Sequence, residues 1–276
     1  MGKWIKRIII VVLVFVFLFS VGMVGMILYR YWQVDQVYAE AAEQFVRPST
    51  FSTGTAAAAG ETAGTVQVDG EEPVVLEYAP LEADFAALQE ANPDIVGWLY
   101  CEDTVINYPV LHGADDDMYL RHLYDHTYSN SGSIFVEAAN RKRFQDANTI
   151  IYGHNMHNDT MFGTLDEWAD QEYYETHPVL WLLTPEQDYK IEIIAAYRTT
   201  ADSSTYTIFS DVGPEIDAYI ASMTAQSAIQ TAAQPETDTR YVLLSTCADS
   251  FSSDIARFVV HGKLTPVASA GGVQIM

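Results

Sequence analysis

The chain has 276 residues, enough for one domain of good size with appendages. Its formal charge is −23, and it is unevenly spread: four of the fourteen basic residues, Lys3, Lys6, Arg7 and Arg30, sit in the first thirty positions with no acid, so the remainder sets ten bases against 37 acids, a net of −27. A surface of that sign repels nucleic-acid phosphates and anionic lipid, which excludes nucleic acid as an expected partner and leaves solubility as the preferred reading of the acidity. Two cysteines, Cys101 and Cys247, allow one disulfide at most and no disulfide framework, and their spacing suggests no zinc site.

Ile8 to Leu28 runs 21 residues without a charge, long enough to span a bilayer as a helix. Lys3, Lys6 and Arg7 precede it, so the N-terminus is expected in the cytoplasm and the rest outside. A cleaved signal peptide has a shorter apolar core and a small-residue cleavage site. Here Tyr29-Arg-Tyr-Trp32 follows, an aromatic and basic edge suited to the membrane interface. The favoured reading is therefore an uncleaved signal-anchor over residues 1–30, in a single-pass protein of the cell membrane. Residues 31–75 read as a juxtamembrane helix, Val34 to Val46, broken at Arg47-Pro-Ser-Thr, and then a flexible spacer from Phe51 to Glu72 rich in Gly, Ala, Thr and Ser.

The folded domain is expected over 76–266. Asp84 to Ala91 predicts a short helix ended by Asn92-Pro93. Ile95 to Tyr100, Val105 to Leu111, Ser133 to Glu137 and Thr149 to Tyr152 predict strands. Asp115 to Tyr124 predicts a helical turn whose acids suit a helix start. Thr160 to Tyr174 reads as mostly helical. Val179 to Leu183 and Lys190 to Tyr197 predict strands, Thr199 to Asp211 a polar loop, and Pro214 the first turn of a helix reaching about Ile229. About eight strands, few helices and no βαβ rhythm predict a mainly β barrel with peripheral helices. Residues 267–276 read as a loose tail.

The last two strands carry the chemistry. Tyr241-Val-Leu-Leu-Ser-Thr-Cys247 is apolar and β-branched, Ala248 to Asp254 is rich in turn formers, and Arg257 to Leu264 is a second strand, so the pair predicts a hairpin. Cys247 closes the first strand and Arg257 opens the second. Alternation places Ser245 and Cys247 on one face. A fixed cation beside a thiol favours the reactive thiolate; a buried structural cysteine is the alternative. Cysteine catalysis also needs a proton carrier and an oxyanion partner. Of seven histidines, His154 has the best context, directly after Thr149-Ile-Ile-Tyr-Gly153, where the glycine lets the chain turn. His157 and Asp159 beside it form no supported metal set, and Asp115 to Asp117 no calcium loop.

Ile151-Tyr-Gly-His-Asn-Met156, Met161-Phe-Gly-Thr-Leu165 and Leu244-Ser-Thr-Cys247 with Arg257 together resemble the class B sortases. Asn92-Pro-Asp-Ile-Val-Gly-Trp98, Ile106-Asn-Tyr-Pro-Val110, Ser131-Gly-Ser-Ile-Phe135 and Arg257-Phe-Val-Val-His261 extend the likeness over about Leu81 to Leu264, in order. The resemblance implies an eight-stranded sortase-like β-barrel, tethered to the membrane and facing the cell wall of a Gram-positive bacterium. It implies a cysteine transpeptidase without cofactor or metal. Such an enzyme cuts a C-terminal sorting motif of a secreted protein after Thr, holds the acyl group as a thioester, and passes it to a peptidoglycan amine. The motif is expected to begin with Asn or Ser, then Pro, with Thr fourth.

Carried over by position, Cys247 is the nucleophile, His154 the general acid and base, and Arg257 the oxyanion and substrate stabiliser. Ser245 is placed close to the substrate, Asn107 and Leu111 in the segment lining the motif groove, and Tyr206 in the loop covering it. A guanidinium suits the oxyanion role because it is always charged and donates in a fixed fork. Leu243 and Ala248 depart from common family residues; Ala248 bears on motif preference. Cys101 matches no catalytic position and reads as a small semi-buried hydrophobe. Rival readings are a pilin-joining enzyme of the same chemistry, a surface cysteine endopeptidase that hands its acyl group to water, and an anchored binding module with an inert thiol. The catalytic domain is expected to be monomeric on its tether.

Overall fold

A computed structural model describes residues 2–50, 63–66, 74–247 and 255–269. The chain forms two compact units, Met1–Ala41 and Ala42–Met276. The first is occupied by one long helix, α1 (Lys3–Phe45), so the expected membrane and juxtamembrane helices are continuous. No proline or run of breakers separates them until Pro48. The apolar side chains from Ile8 to Leu28 are exposed on all sides of this helix, which is long and apolar enough to cross a membrane.

Most of the expected spacer lies outside the described residues; within it, Ala63–Val66 pairs antiparallel with Val74–Glu77. Ala248 to Asp254 and the tail beyond residue 269 also lie outside. Val46–Pro48 pairs with Leu81–Ala83, and Arg47 forks onto Glu82 at 2.9 and 3.1 Å.

Eight strands close a barrel: β1 (Ile95–Tyr100), β2 (Asn107–Leu111), β3 (Ile134–Val136), β4 (Asn148–Tyr152), β5 (Val179–Leu183), β6 (Asp188–Thr200), β7 (Arg240–Cys247) and β8 (Ala256–Val267). Around the barrel the order is β6-β8-β7-β4-β3-β2-β1-β5, with β5 returning to β6. Two neighbouring pairs, β4 with β7 and β2 with β3, are parallel; the others are antiparallel. Closure removes exposed strand edges.

Local chemistry sets the helices between them. The Asp84 carboxylate caps α2 (Phe85–Ala91) by accepting the Ala87 N–H at 3.0 Å. The region read as one helix from Thr160 to Tyr174 is instead a 3₁₀ turn, Leu165–Ala169, and α3 (Gln171–Thr176). Asp170 interrupts it because its side chain caps the N–H groups of Glu172 and Tyr173 at 2.9 and 3.1 Å. The helix opened by Pro214, α4, stops at Thr224 rather than near Ile229. The expected loop from Thr199 is shortened, since β6 pairs with β8 as far as Thr200, and Ser204–Tyr206 forms a 3₁₀ turn.

β7 reads as one apolar run because both of its faces are covered. Tyr241 and Leu243 pack with Ile150, Val259 and the α4 residues Ile216, Tyr219, Ile220 and Met223. Val242 and Leu244 on the other face are also fully buried. His261 of β8 lies fully buried too. Its Nε2 is 3.0 Å from Tyr197 Oη, and its ring stacks on Tyr197.

Burial pushes the His261 imidazole down to about 3. An unfolded histidine titrates near 6.5. Below that pH the unfolded chain takes up a proton that the folded chain refuses, so stability falls as pH drops from about 6.5 toward 3. Thermal midpoints measured between pH 7.5 and 4 are expected to fall more steeply for the wild type than for His261→Gln, which lacks the titration. Parallel curves contradict the assignment.

Candidate active site

The parallel register of β4 and β7 sets Tyr152 opposite Ser245. The ladder continues one step, with Gly153 N–H donating to the Ser245 carbonyl at 3.1 Å. His154 lies two residues past Tyr152, and Cys247 two past Ser245. Both therefore leave neighbouring strands at the same end of the barrel. Across the β7–β8 pair, Cys247 stands directly opposite Arg257. The hairpin expected from sequence is present, with the cysteine and arginine positions in register.

A cavity of about 310 Å³ opens at this end. His154, Arg257, Ser245, Thr246 and Tyr206 line it, with Tyr152 and Gly153 beneath them. Leu120, Phe135 and Ala201 supply apolar wall, and Asp116 and Glu137 supply two carboxyls. Tyr206 Oη is 2.7 Å from Ser245 Oγ, and the Tyr206 ring stacks on Tyr152 at 6.3 Å. Tyr152 Oη donates to Glu137 at 2.8 Å. Burial raises Glu137 above the ordinary carboxylate range; the Asp116 carboxyl adds to this and the Tyr152 bond opposes it. The Tyr152 hydroxyl is pushed up by burial and by Glu137, so it stays a donor.

The ring of His154 is held from outside its own strand. Its Nε2 lies 2.8 Å from the Leu120 carbonyl. A carbonyl only accepts, so Nε2 carries the proton and Nδ1 is the nitrogen left to take and give one. Leu120 is fixed in turn. Tyr119, fully buried beside it, donates its hydroxyl to Asp94 at 2.8 Å and accepts from Asn92 Nδ2 at 3.1 Å. Its carbonyl accepts the Ser133 N–H at 2.9 Å. Gly132, at φ +55°, allows this approach: a Cβ there would stand 2.5 Å from the Tyr119 carbonyl oxygen and 2.8 Å from that of Leu120. Beyond the histidine, Phe162 N–H returns to the His154 carbonyl at 3.0 Å, and Met161 and Phe162 are fully buried. A Cβ on Gly153 would meet Ile134 and Phe162 at 2.6 Å, which explains glycine before the histidine.

Of the residues expected to line the groove, the structure brings Ser245 and Tyr206 to the cavity with His154 and Arg257. Asn107 and Leu111 lie elsewhere. The Asn107 side chain accepts the Trp98 indole N–H at 2.7 Å, and Leu111 is fully buried in the barrel. Asp116 and Leu120, not expected there from sequence, do line the cavity. In the sequence Asp116 looks like a solvated helix start, because nothing local shows that its loop folds over β3 and β4. Glu137 and Tyr152 were equally silent, although Tyr152 belongs to the histidine motif.

Cys101 is buried with a free thiol, its Sγ 3.5 Å from the Val179 carbonyl, and burial pushes that thiol up to about 12. A neutral thiol-alkylating reagent on the native protein is therefore expected to label Cys247 alone, with Cys101 reacting only after denaturation. Mass mapping of the labelled peptides checks this, and native labelling of Cys101 contradicts it. Tyr119→Phe removes the hydroxyl between Asn92 and Asp94 and leaves polar groups unsatisfied. It is expected to lower unfolding stability by about 1–3 kcal/mol in urea titrations.

Residues 99–265 match the sortase domain family model. A sortase B of Listeria monocytogenes serovar 1/2a (strain EGD-e) is 31% identical over 249 residues, covering 90% of this chain and 92% of the relative. A sortase B of Staphylococcus aureus is 30% identical over 184 residues, covering 67% and 75%. Among solved structures, sortase B from Bacillus anthracis superposes with a TM-score of 0.65 at 29% identity, over 87% of this chain and 99% of that one. The Staphylococcus aureus sortase B–substrate complex gives 0.62 at 31% identity, over 67% and 85%. With the barrel, the strand-end cysteine, histidine and arginine positions, and these matches in hand, the chain belongs to the sortase family and is a sortase B-type cysteine transpeptidase.

Proposed function

We propose that this transpeptidase cleaves a C-terminal sorting motif of secreted proteins after Thr and joins the new acyl end to a peptidoglycan amine at the cell wall. The observation that carries this reading is the convergence of His154, Arg257, Ser245 and Tyr206 on one cavity at the strand end where Cys247 pairs with Arg257. A cavity of this size takes one or two side chains of an extended peptide, with the rest of the motif lying along its rim.

In the proposed reaction the Cys247 thiolate attacks the Thr carbonyl carbon. Negative charge grows on the carbonyl oxygen, and the Arg257 guanidinium stabilises it. The C–N bond breaks as the imidazolium of His154 gives a proton from Nδ1 to the departing amine. A thioester on Cys247 and neutral His154 remain. The incoming amine attacks the thioester carbonyl, His154 takes the amine's proton at Nδ1, and the C–S bond breaks to return the thiolate and a new amide. The Leu120 carbonyl keeps Nε2 protonated throughout and so fixes the tautomer this cycle needs. Ser245 and Tyr206 act in this reading as substrate contacts on the wall beside Cys247.

The basic residues Lys3, Lys6 and Arg7 just before the apolar segment support a cytoplasmic N-terminus with the catalytic domain on the outer face. Helix α1 is the proposed anchor in a single pass, with the domain over 76–266 working as a monomer on the tether.

The test is thioester capture. The full chain in detergent is mixed with a panel of peptides carrying Asn or Ser, then Pro, with Thr fourth, with and without a short peptidoglycan-like amine. A Cys247 adduct ending in Thr is expected by mass spectrometry, absent in Cys247→Ala and converted to ligated product by the amine. Arg257→Ala is expected to slow adduct formation on the order of 100-fold or more. Adduct that only decays to the free acid would establish a hydrolase instead, and a chain that forms no adduct with any peptide sinks the proposed motif.

A further inference from the structure

The wall that Tyr206 adds to the cavity is held from behind by residues that do not line it. Thr205, the preceding residue, is fully buried. Tyr197 Oη of β6 lies 3.2 Å from Thr205 Oγ1. Tyr219 of α4 donates its hydroxyl to the Thr205 carbonyl at 2.6 Å. Tyr197 is itself steadied by His261 Nε2 at 3.0 Å and by the Met223 sulfur at 2.9 Å. Thr205 thus sits between a barrel strand and a packed helix, and the next side chain reaches 2.7 Å from Ser245 Oγ and stacks on Tyr152.

We infer that Tyr197 and Tyr219 are positioning residues for the substrate-binding wall, clamping Thr205 so that Tyr206 is presented to the peptide in one place. This rests on the proposed reading of the cavity. A short 3₁₀ turn has little stability of its own, since it closes few hydrogen bonds and those are poorly aligned. Tyr206 N–H to Ser203 at 3.2 Å and Thr207 N–H to Ser204 at 3.2 Å are the backbone bonds that close the turn, and Thr205 is its fully buried residue. A preorganised wall lowers the ordering cost of binding. Losing the clamp therefore weakens substrate binding more than it slows bond breaking at Cys247.

The test uses the full chain in detergent. Tyr197→Phe removes one hydroxyl and keeps the ring. It is expected to raise the KM for the motif peptide about 5- to 10-fold, with kcat and the rate of Cys247 labelling by a small thiol reagent changed less than twofold. In a Tyr206→Ala background the same substitution is expected to have no further effect on KM, because the wall it positions is gone. An equal KM rise in both backgrounds, or no rise in either, overturns the inference. If Tyr197→Phe fails to fold, Tyr219→Phe removes the second hydroxyl on Thr205 and is judged by the same criteria. Amide exchange of the peptide spanning Ser203 to Thr207 is followed on the same samples without substrate. Faster exchange there in Tyr197→Phe or Tyr219→Phe supports the clamp even if no peptide forms a thioester, which would be a failure of the functional reading alone. Unchanged exchange in both overturns the clamp.

Discussion

The parallel pairing of β4 with β7 is the constraint on which the site depends. Tyr152 opposite Ser245 brings two chain segments, nearly a hundred residues apart in sequence, to a common strand end. Parallel neighbours cannot be joined by a tight turn, so the intervening chain must travel round the barrel and return. A slip of one residue in this register would turn every side chain of β7 to its other face. Burial on both faces resists that slip, since α4 and its cluster cover one side and the barrel covers the other.

Two buried tyrosine networks then place the two walls of the cavity. On one side, Asn92 and Asp94 hold Tyr119, whose neighbour Leu120 offers its carbonyl to His154. On the other, Tyr197 and Tyr219 hold Thr205, whose neighbour Tyr206 meets Ser245. The logic is the same in both. A short turn carries a fully buried residue, and the adjacent residue lines the cavity. A tyrosine suits this task because its ring fills core volume while its hydroxyl reaches a polar partner at the edge.

The two cysteines occupy different places in the fold. Cys101 is enclosed and its thiol pushed up to about 12, which keeps it neutral and inert. Cys247 ends a strand in register with a half-buried arginine at the mouth of a cavity. The carboxyls of Asp116 and Glu137 line that cavity together with the arginine, so acidic and basic groups share one small volume.

The sequence by itself determined the apolar N-terminal helix, the strands, the closing hairpin and the motif residues His154, Cys247 and Arg257. The helix, strands and hairpin depend on local composition, namely a charge-free run, apolar β-branched stretches and a loop of turn formers, whereas His154, Cys247 and Arg257 were assigned together by resemblance to the class B sortase motifs. The strand from Ile95 to Tyr100 was legible from local composition too. Only the tertiary structure decided which loops surround the cavity. Asp116 and Leu120 line it, with the Leu120 carbonyl on His154 Nε2 and the Asp116 carboxylate accepting the Ala138 N–H, contacts between positions distant in sequence. The break of the Thr160 to Tyr174 segment at Asp170, the extension of β6 to Thr200 and the clamp on Thr205 have the same origin. In each case a hydrogen bond formed with another part of the chain overrode, or completed, a preference that local sequence expressed weakly.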